Sequence, residues 1–143
     1  MKNIGIAADH AGFELKQVLK AQLEKDGYTV TDFGTFSTES MDYPDVAHPL
    51  ANAIENGSLP CGIALCGSGN GIAITLNKHA GIRAAICWEE ELASLARRHN
   101  NANICVFPAR FIEPATALRC MDVFLHTDFE GGRHLRRIDK IKC

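Results

Sequence analysis

A glycine-rich segment that begins with a cysteine is the strongest chemical signal in the sequence. It runs Cys66-Gly67-Ser68-Gly69-Asn70-Gly71, between a predicted strand and a predicted helix. Glycines that alternate with small polar residues allow several backbone N–H groups to point into one space, and a helix N-terminus adds to their attraction for anions. The segment has neither the GxxxxGK[ST] spacing of a P-loop nor the GxGxxG spacing of a dinucleotide-binding turn. It therefore predicts a cradle for a small anion or oxyanion.

Cys66 stands at the rim of this cradle, where a thiol has a specific chemical use. A free thiol has a pKa of ~8.5, and the N-terminus of a helix lowers that value. As a thiolate, Cys66 would accept a proton or act as a nucleophile near neutral pH. Strand-end cysteines usually only pack, but the adjacent glycines favour chemistry here. The remaining cysteines have no such setting and are predicted to be structural; they are Cys61, Cys87, Cys105, Cys120 and Cys143.

Two histidines are also candidates for proton transfer or ligand binding. Asp9 and His10 follow the first predicted strand, where the pair could orient a hydroxyl group, receive a proton or contact a phosphate. The alternative for Asp9 is a helix cap. His99 ends a predicted helix and is followed by Asn100; its alternative is an interaction with the helix dipole.

Arginines near the C-terminus could bind a phosphate. Arg133 and Arg137 are four residues apart and so share one face of a helix. Two guanidinium groups on one face can chelate a phosphate, although a basic run is more often a solvated surface. Arg110, just beyond a predicted strand, is a third candidate. No carboxylate or histidine spacing is typical of a metal site, so we expect no metal and no cofactor.

Strand and helix patterns alternate along the chain and must position these residues. Apolar runs predict strands over 3–8, 28–33, 61–66, 82–87 and 104–107. Helical spacing predicts helices over 13–25, 44–57, 70–78, 89–99 and 114–126, then a short helix with the basic cluster. Continuous apolar strands joined by helices predict an α/β fold with a parallel sheet covered on both faces. Ligands bind at the carboxyl ends of such strands.

Composition excludes several classes of protein. The chain has 143 residues, 46% hydrophobic and 22% charged, with a formal net charge of −2. We therefore expect one domain over 1–143, neither disordered nor fibrous, and no nucleic-acid or membrane partner. The N-terminus has no signal-peptide pattern. Six cysteines without a CxxC pair are typical of reduced thiols, which predicts a cytoplasmic location.

Several separated motifs together resemble the type B ribose-5-phosphate isomerases, within the wider ribose/galactose phosphate isomerase group. In chain order they are Gly5-Ile6-Ala7-Ala8-Asp9-His10-Ala11-Gly12-Phe13, Asp42-Tyr43-Pro44-Asp45, Cys66-Gly67-Ser68-Gly69-Asn70-Gly71-Ile72, Asn77-Lys78, Gly81-Ile82-Arg83-Ala84, His99-Asn100 and Glu130-Gly131-Gly132-Arg133-His134. Many members carry threonine at the position of Ser68, which preserves the hydroxyl group. One branch replaces the cysteine by serine and uses a glutamate after the loop. Cys66 and Ile72 assign this chain to the cysteine branch.

The resemblance implies a three-layer α/β/α sandwich around a five-stranded parallel sheet, and a homodimer or dimer of dimers whose sites are completed at the subunit interface. It implies interconversion of D-ribose 5-phosphate and D-ribulose 5-phosphate through a cis-enediolate, with Cys66 as the base and Ser68 moving a hydroxyl proton. The loop Gly67, Ser68, Gly69, Asn70 and Gly71 would hold the enediolate oxygen. His99, aided by Asp9, would open the sugar ring, and Asn100 would bind hydroxyl groups. The phosphate would be held by His10, Arg110, Arg133 and Arg137.

Two other functions remain open from the sequence. One keeps the chemistry but takes a six-carbon substrate, allose 6-phosphate or galactose 6-phosphate, because pocket depth is not encoded in any motif. The other is a binding module without catalysis, in which the loop and the arginines only sense a sugar phosphate. The joint presence of Cys66 and His99 favours an enzyme.

Overall fold

Five strands form one all-parallel sheet in the order β2-β1-β3-β5-β4. The computed structural model describes residues 2–143. The strands are β1 (Lys2–Ala8), β2 (Tyr28–Asp32), β3 (Gly62–Cys66), β4 (Ala84–Ile86) and β5 (Ile104–Pro108). The helices are α1 (Phe13–Lys25), α2 (Pro44–Glu55), α3 (Asn70–Leu76), α4 (Glu90–Arg98), α5 (Pro114–Leu125) and α6 (Arg133–Asp139). The predicted three-layer α/β/α class is confirmed.

Alternating side chains of the strands make two cores, one on each face of the sheet. Ile6, Leu65 and Phe107 pack on the face covered by α1, α4 and α5. Ala64 and Val106 pack on the opposite face, under α2 and α3. Burial on both faces explains why the central strands are continuously apolar.

One predicted strand is longer than the observed element. The apolar run over 82–87 predicts six strand residues, whereas β4 contains three, Ala84–Ile86. It lies at the edge of the sheet and pairs only with β5. The flanking Arg83 and Cys87 still bond to the β5 segment: the carbonyl oxygen of Arg83 accepts from the N–H of Asn103 at 3.0 Å, and the N–H of Cys87 donates to the carbonyl oxygen of Val106 at 2.8 Å. Regular pairing with β5 is confined to the three residues between them.

The direction of the chain separates the two edges of the sheet. Gly62 pairs with Ile104 at the amino ends of β3 and β5, and Cys66 pairs with Pro108 at their carboxyl ends. Helix α4 starts after the carboxyl end of β4 and leads back to the amino end of β5. Residues that follow α4 therefore lie at the amino edge. Within residues 2–143, no helix has the length and apolar character required to cross a membrane.

Candidate active site

The structure brings most of the predicted ligand-binding residues to the carboxyl edge of the sheet. Asp9 and His10 follow β1, and the loop 66–71 joins β3 to α3. Arg110 lies in a 3₁₀ turn, Ala109–Phe111, directly after β5. We refer to Asp9, His10, Cys66–Gly71 and Arg110 as the carboxyl-edge group. Strands β1 and β3 are neighbours whose outgoing connections diverge, the arrangement at which parallel sheets form a ligand crevice.

The glycine loop has free backbone donors, as its sequence predicts. Gly69 has a φ of +78°, a left-handed conformation that glycine adopts without steric cost. The N–H groups of Gly67, Ser68 and Gly71 donate to no protein acceptor in the part of the chain that the structure describes. The amide of Asn70 is occupied, because it donates to Ser68 Oγ at 3.2 Å. The cradle therefore offers unpaired N–H groups to an oxyanion.

Arg110 lies against this loop. Its backbone N–H donates to the carbonyl oxygen of Gly67 at 3.0 Å. Its guanidinium Nη1 is 3.1 Å from the position that a Cβ atom on Gly67 would occupy. Arg110, predicted to follow a strand, thus contacts the anion cradle. Its guanidinium group adds a positive charge beside the free N–H groups.

Asp9 and His10 are held by backbone groups that leave one polar atom of each side chain available. Asp9 Oδ1 accepts hydrogen bonds from the N–H groups of Ala11 and Gly12 at 3.0 and 3.2 Å, so the capping alternative is also realised. The N–H of Met41 donates to His10 Nδ1 at 3.2 Å. A ring nitrogen that accepts carries no proton, which assigns the proton to Nε2 and makes His10 a hydrogen-bond donor there.

Cys66 is the last residue of β3 and is only 4% exposed. It packs on the α2/α3 face of the sheet, with Ala64 and Val106. Its backbone leads directly into the cradle, so the buried thiol lies next to the loop that carries the free N–H groups. Such a site strengthens electrostatic interactions with any substrate that enters it.

Tyr43 belongs to the same site, although the sequence assigns it no role. A Cβ atom on Gly71 would be 2.7 Å from Tyr43 Oη and 2.8 Å from its Cε1, so the phenol ring rests directly on the loop. Met41, whose amide binds His10, precedes it in the segment between β2 and α2. The only signal in the sequence is the Asp42-Tyr43-Pro44-Asp45 motif, quoted above as part of the resemblance.

A second set of the predicted residues lies at the amino edge of the sheet. His99 caps the C-terminus of α4, Asn100 follows it, and Arg133 and Arg137 lie on α6. The ring of His134, also on α6, stacks on His99 with centroids 4.1 Å apart and an interplanar angle of 14°. We call His99, Asn100, Glu130, Arg133, His134 and Arg137 the amino-edge group. Arg133 and Arg137 are exposed on one helix face, as their spacing predicts.

The two stacked histidines share the carboxylate of Glu130. Glu130 Oε1 is 3.8 Å from His99 Nε2 and 3.5 Å from His134 Nε2, and Arg98 Nη1 is 3.3 Å from Oε2. Burial, His99 and Arg133 all lower the pKa of His134, which outweighs the opposing effect of Glu130. A neutral His134 allows the two rings to stack without charge repulsion.

His99, Glu130 and His134 are also the one trio of described side chains whose ligand atoms could share a metal ion, since those atoms lie within 4.8 Å of one another. The sequence does not indicate this trio, because His99 is remote from the other two along the chain. Its surroundings are basic: Arg98 already pairs with Glu130, and Arg133 and Arg137 act on His134. These positive charges favour an anion over a cation.

The two groups cannot meet within one chain. Four residue steps separate Gly62 from Cys66 in β3, which is ~13 Å at the usual rise of a strand. Cys66 lies at one end of this length, and His99 and Asn100 lie beyond the other. A single substrate can touch both groups only if a second chain supplies one of them.

The comparisons with known proteins agree with this architecture. The family model described as Ribose/Galactose Isomerase matches residues 4–141. Ribose-5-phosphate isomerase B of Escherichia coli K12 is 43% identical over 141 residues, which cover 99% of this chain and 95% of that protein. A ribose 5-phosphate isomerase structure from Thermotoga maritima superposes with a TM-score of 0.96 at 50% identity, covering 98% of this chain and 97% of the other. The structure of ribose-5-phosphate isomerase B from Mycoplasma genitalium, solved with bound ribulose-5-phosphate, superposes with a TM-score of 0.93 at 40% identity. The match covers 97% of this chain and 93% of the other.

Proposed function

The chain belongs to the ribose/galactose isomerase family, and from that premise we propose that it interconverts D-ribose 5-phosphate and D-ribulose 5-phosphate. The observation that carries the proposal is the set of free N–H groups around a strand-end thiol at the carboxyl edge. A developing enediolate needs preorganised donors of this kind, and losing one typically lowers the rate by ~10²–10³. The ribulose-5-phosphate bound to the Mycoplasma genitalium relative supports a pentose phosphate as the substrate.

In the proposed chemistry, the Cys66 thiolate removes the proton from C2 of the open-chain aldose. The electron pair forms the C1–C2 double bond while the carbonyl electrons move to O1, which the N–H groups of Gly67 and Gly71 stabilise. Ser68 Oγ passes the O2 proton to O1, and the thiol returns its proton to C1 to leave the ketone at C2. Before this, His99 assists ring opening, with Asp9 orienting the sugar hydroxyl groups.

The phosphate end of the substrate requires positive charge away from the reacting carbons. We assign phosphate binding to His10 and Arg110 of one chain and to Arg133 and Arg137 of the other. His10 contributes as a neutral donor through Nε2, because its Nδ1 already accepts from Met41. Asn100 binds hydroxyl groups between the two ends. Anchoring a remote group in this way converts binding energy into orientation at C1 and C2.

The proposal includes a homodimer, in which the partner completes each site. Exposed apolar side chains flank the carboxyl-edge group: Ile74, Trp88 and Phe111 are 63%, 50% and 76% exposed. Trp88 and Phe111 line a cavity of about 420 Å³ together with Ser68 and Asn70. An apolar surface beside an incomplete polar site is the character expected of an interface. A two-fold dimer would build two equal sites from one kind of contact.

A cytoplasmic location is also part of the proposal. Its support is the state of the cysteines, since all six are free. Cys87, Cys105 and Cys120 are buried close to one another without forming a disulfide. Unpaired thiols persist where glutathione keeps them reduced.

The test of the proposed function is the Cys66→Ala variant, assayed with ribose 5-phosphate. We expect a folded dimer that binds the sugar phosphate but interconverts it at least ~10³-fold more slowly, because the proton acceptor is missing. Cys143→Ala is the matched control, since Cys143 is free and exposed. Substantial turnover by folded Cys66→Ala would remove Cys66 from its role.

The same assay separates the other two functions. Comparing kcat/KM for ribose 5-phosphate, allose 6-phosphate and galactose 6-phosphate identifies the sugar, and a higher value for a six-carbon substrate would contradict the proposal. Incubation in deuterated water tests for catalysis itself. Binding of ribulose 5-phosphate without exchange at C1 and without isomerisation would make the protein a binding module.

A further inference from the structure

We propose that Arg83 and Arg97 are positioning residues for this reaction: they hold the turn that presents His99 and Asn100 to the partner subunit's Cys66. The inference rests on the proposed function, because the turn matters only if His99 and Asn100 act on the substrate. Neither arginine belongs to the carboxyl-edge or the amino-edge group. Arg83 lies in the Gly81-Ile82-Arg83-Ala84 motif, to which the proposed chemistry gives no task.

Arg83 binds the turn from the side of β4. Its Nε donates to the carbonyl oxygens of Asn100 and Asn101, at 3.2 and 2.9 Å. Its backbone is itself fixed, because the N–H of Arg83 donates to Asn103 Oδ1 at 2.9 Å and its carbonyl oxygen accepts from the N–H of Asn103 at 3.0 Å. Arg83 therefore binds both ends of the turn, through its side chain at Asn100 and Asn101 and through its backbone at Asn103.

Arg97 binds the same turn from the side of α4. Its Nη1 donates to Asn101 Oδ1 at 3.0 Å and to the carbonyl oxygen of Ala102 at 2.6 Å. Its Nε donates to the carbonyl oxygen of Thr127 at 3.1 Å, and its guanidinium carbon is 5.7 Å from the centroid of the Phe124 ring. Arg97 thus joins the turn to the end of α5 and the segment that follows it.

The turn needs this support because of its conformation. Asn101 has a φ of +46° and is the only non-glycine residue with a positive φ among residues 2–143. Asparagine tolerates a positive φ better than most residues do, but the conformation still costs free energy relative to helical backbone. The carbonyl groups of the turn lie beyond the last residue of α4, so the regular hydrogen bonds of the helix do not satisfy them. The two arginines supply donors for the carbonyl oxygens of three consecutive residues, Asn100, Asn101 and Ala102.

Asn100 carries the first of these anchored carbonyl groups and His99 directly precedes it, so the turn sets where both side chains project. A displacement of ~1 Å at a reacting group can lower a rate by ~10²-fold. Lysine cannot make the same contacts. It has a methylene group at the position of Nε, through which Arg83 donates, and a single nitrogen where Arg97 uses both Nε and Nη1. Each arginine therefore acts through His99 and Asn100, without touching the substrate.

The experiment uses Arg83→Lys and Arg97→Lys in the full-length protein, which keep the charge and change the donor geometry. Two rates are measured at saturating substrate: isomerisation of ribose 5-phosphate, and exchange of the C1 proton of ribulose 5-phosphate in deuterated water. Ribulose 5-phosphate cannot close a five-membered ring because its C5 oxygen is esterified, so exchange does not require ring opening. Arg119→Lys, on the exposed side of α5, is the matched control.

We expect isomerisation to fall about 10- to 100-fold in both variants because ring opening by His99 is impaired. Exchange should fall less than ~3-fold, because saturating substrate compensates for weaker binding of hydroxyl groups by Asn100. A purely structural role would instead lower the melting temperature and leave both rates unchanged well below it. Unchanged isomerisation, or an equal fall in both rates, would overturn the proposal. If Arg97→Lys does not fold, Arg83→Lys decides alone, and its failure to fold would make Arg83 structural.

Failure of the proposed function has a different signature. A wild-type protein without isomerase activity, or a fully active Cys66→Ala variant, would contradict the chemistry assigned to Cys66. The positioning role fails only where the wild-type protein is active and the ratio of isomerisation to exchange stays at its wild-type value in the two lysine variants.

Discussion

Cys66 and His99 lie at opposite edges of one parallel sheet, with the length of strand β3 between them. The cause is the direction of the chain: Cys66 ends a strand, whereas His99 ends the helix that returns to the start of the next one. Under the proposed function, in which both residues act on one sugar, proton abstraction and ring opening therefore involve two chains. The exposed Trp88 and Phe111 beside the cradle are the surface through which we expect those chains to associate.

Subunit mixing tests this relationship. Cys66→Ala and His99→Ala dimers should each be inactive, and exchanging their subunits should restore about a quarter of the wild-type activity. Random exchange makes half of the dimers mixed, and each mixed dimer has one intact site of two when the partner supplies His99. The measurement is the isomerisation rate before and after subunit exchange.

Mixing Cys66→Ala with a Cys66→Ala/His99→Ala double variant is the control, because no combination of these subunits contains an intact site. A mixture of the single variants that stays inactive, although mixed dimers are detected by mass spectrometry, would place both residues in one chain's site.

Gly71 and Tyr43 provide a test of the cradle's packing. In Gly71→Ala, the new Cβ would overlap the phenol ring of Tyr43, and overpacking of this kind costs about 1–3 kcal/mol. We expect a lower free energy of unfolding in urea and a lower kcat, because Tyr43 or the loop must move. Gly81→Ala is the control, since the atoms nearest its Cβ would belong to the flexible side chain of Glu55, 3.1 Å away.

A double-mutant cycle identifies the cause of that loss. Combining Gly71→Ala with Tyr43→Ala should cost less stability than the sum of the single changes, because the smaller side chain removes the overlap. Strict additivity would show that the two positions do not interact.

Arg133 and Arg137 should discriminate phosphorylated from unphosphorylated sugars. Arg133→Ala or Arg137→Ala is expected to raise KM for ribose 5-phosphate by ~10-fold or more, since a charge-assisted hydrogen bond contributes about 1.5–3 kcal/mol. Binding of ribose should change little. Arg136→Ala is the control, because Arg136 is exposed on another face of α6. Equal losses for both sugars would assign the two arginines a structural role.

The buried pair of Lys16 and Asp32 predicts a specific dependence of stability on acid. Lys16 is fully buried, and its Nζ is 2.6 and 2.7 Å from the two carboxylate oxygens of Asp32. Burial raises the pKa of Asp32, but hydrogen bonds from Lys16 and the N–H of Gly34 outweigh it and hold the pKa below its ordinary value. The pair therefore stabilises the fold above about pH 4.

Below that pH, the unfolded chain binds a proton at this carboxyl group before the folded chain does, so the contribution is lost as pH falls through the folded pKa. Asp32→Asn should lower the free energy of unfolding at pH 7 by about 3–5 kcal/mol, because Lys16 is left without a counter-ion. It should also flatten the change of stability between about pH 4 and pH 2. Urea unfolding over this range, with the exposed Asp26→Asn as control, measures both; an unchanged acid slope would contradict the assignment.

The sequence by itself determines the elements and half of the site. Apolar runs and helical spacings are local patterns, so they predict every strand and α-helix, with a large error only at β4, where the apolar run is longer than the segment that pairs regularly with β5. The loop 66–71 carries its conformation in its own glycines. Asp9, His10 and Arg110 could be assigned to it because parallel strands all end at one edge.

Only the tertiary structure decides which residues face each other across elements. The ring of Tyr43 on Gly71, the amide of Met41 on His10 and the carboxylate of Glu130 between His99 and His134 join segments far apart in the chain. The local periodicity of the sequence does not predict such contacts, because they depend on strand order and on the angle at which helices pack. The separation of Cys66 and His99, on which the proposed dimeric site depends, follows from the same long-range geometry.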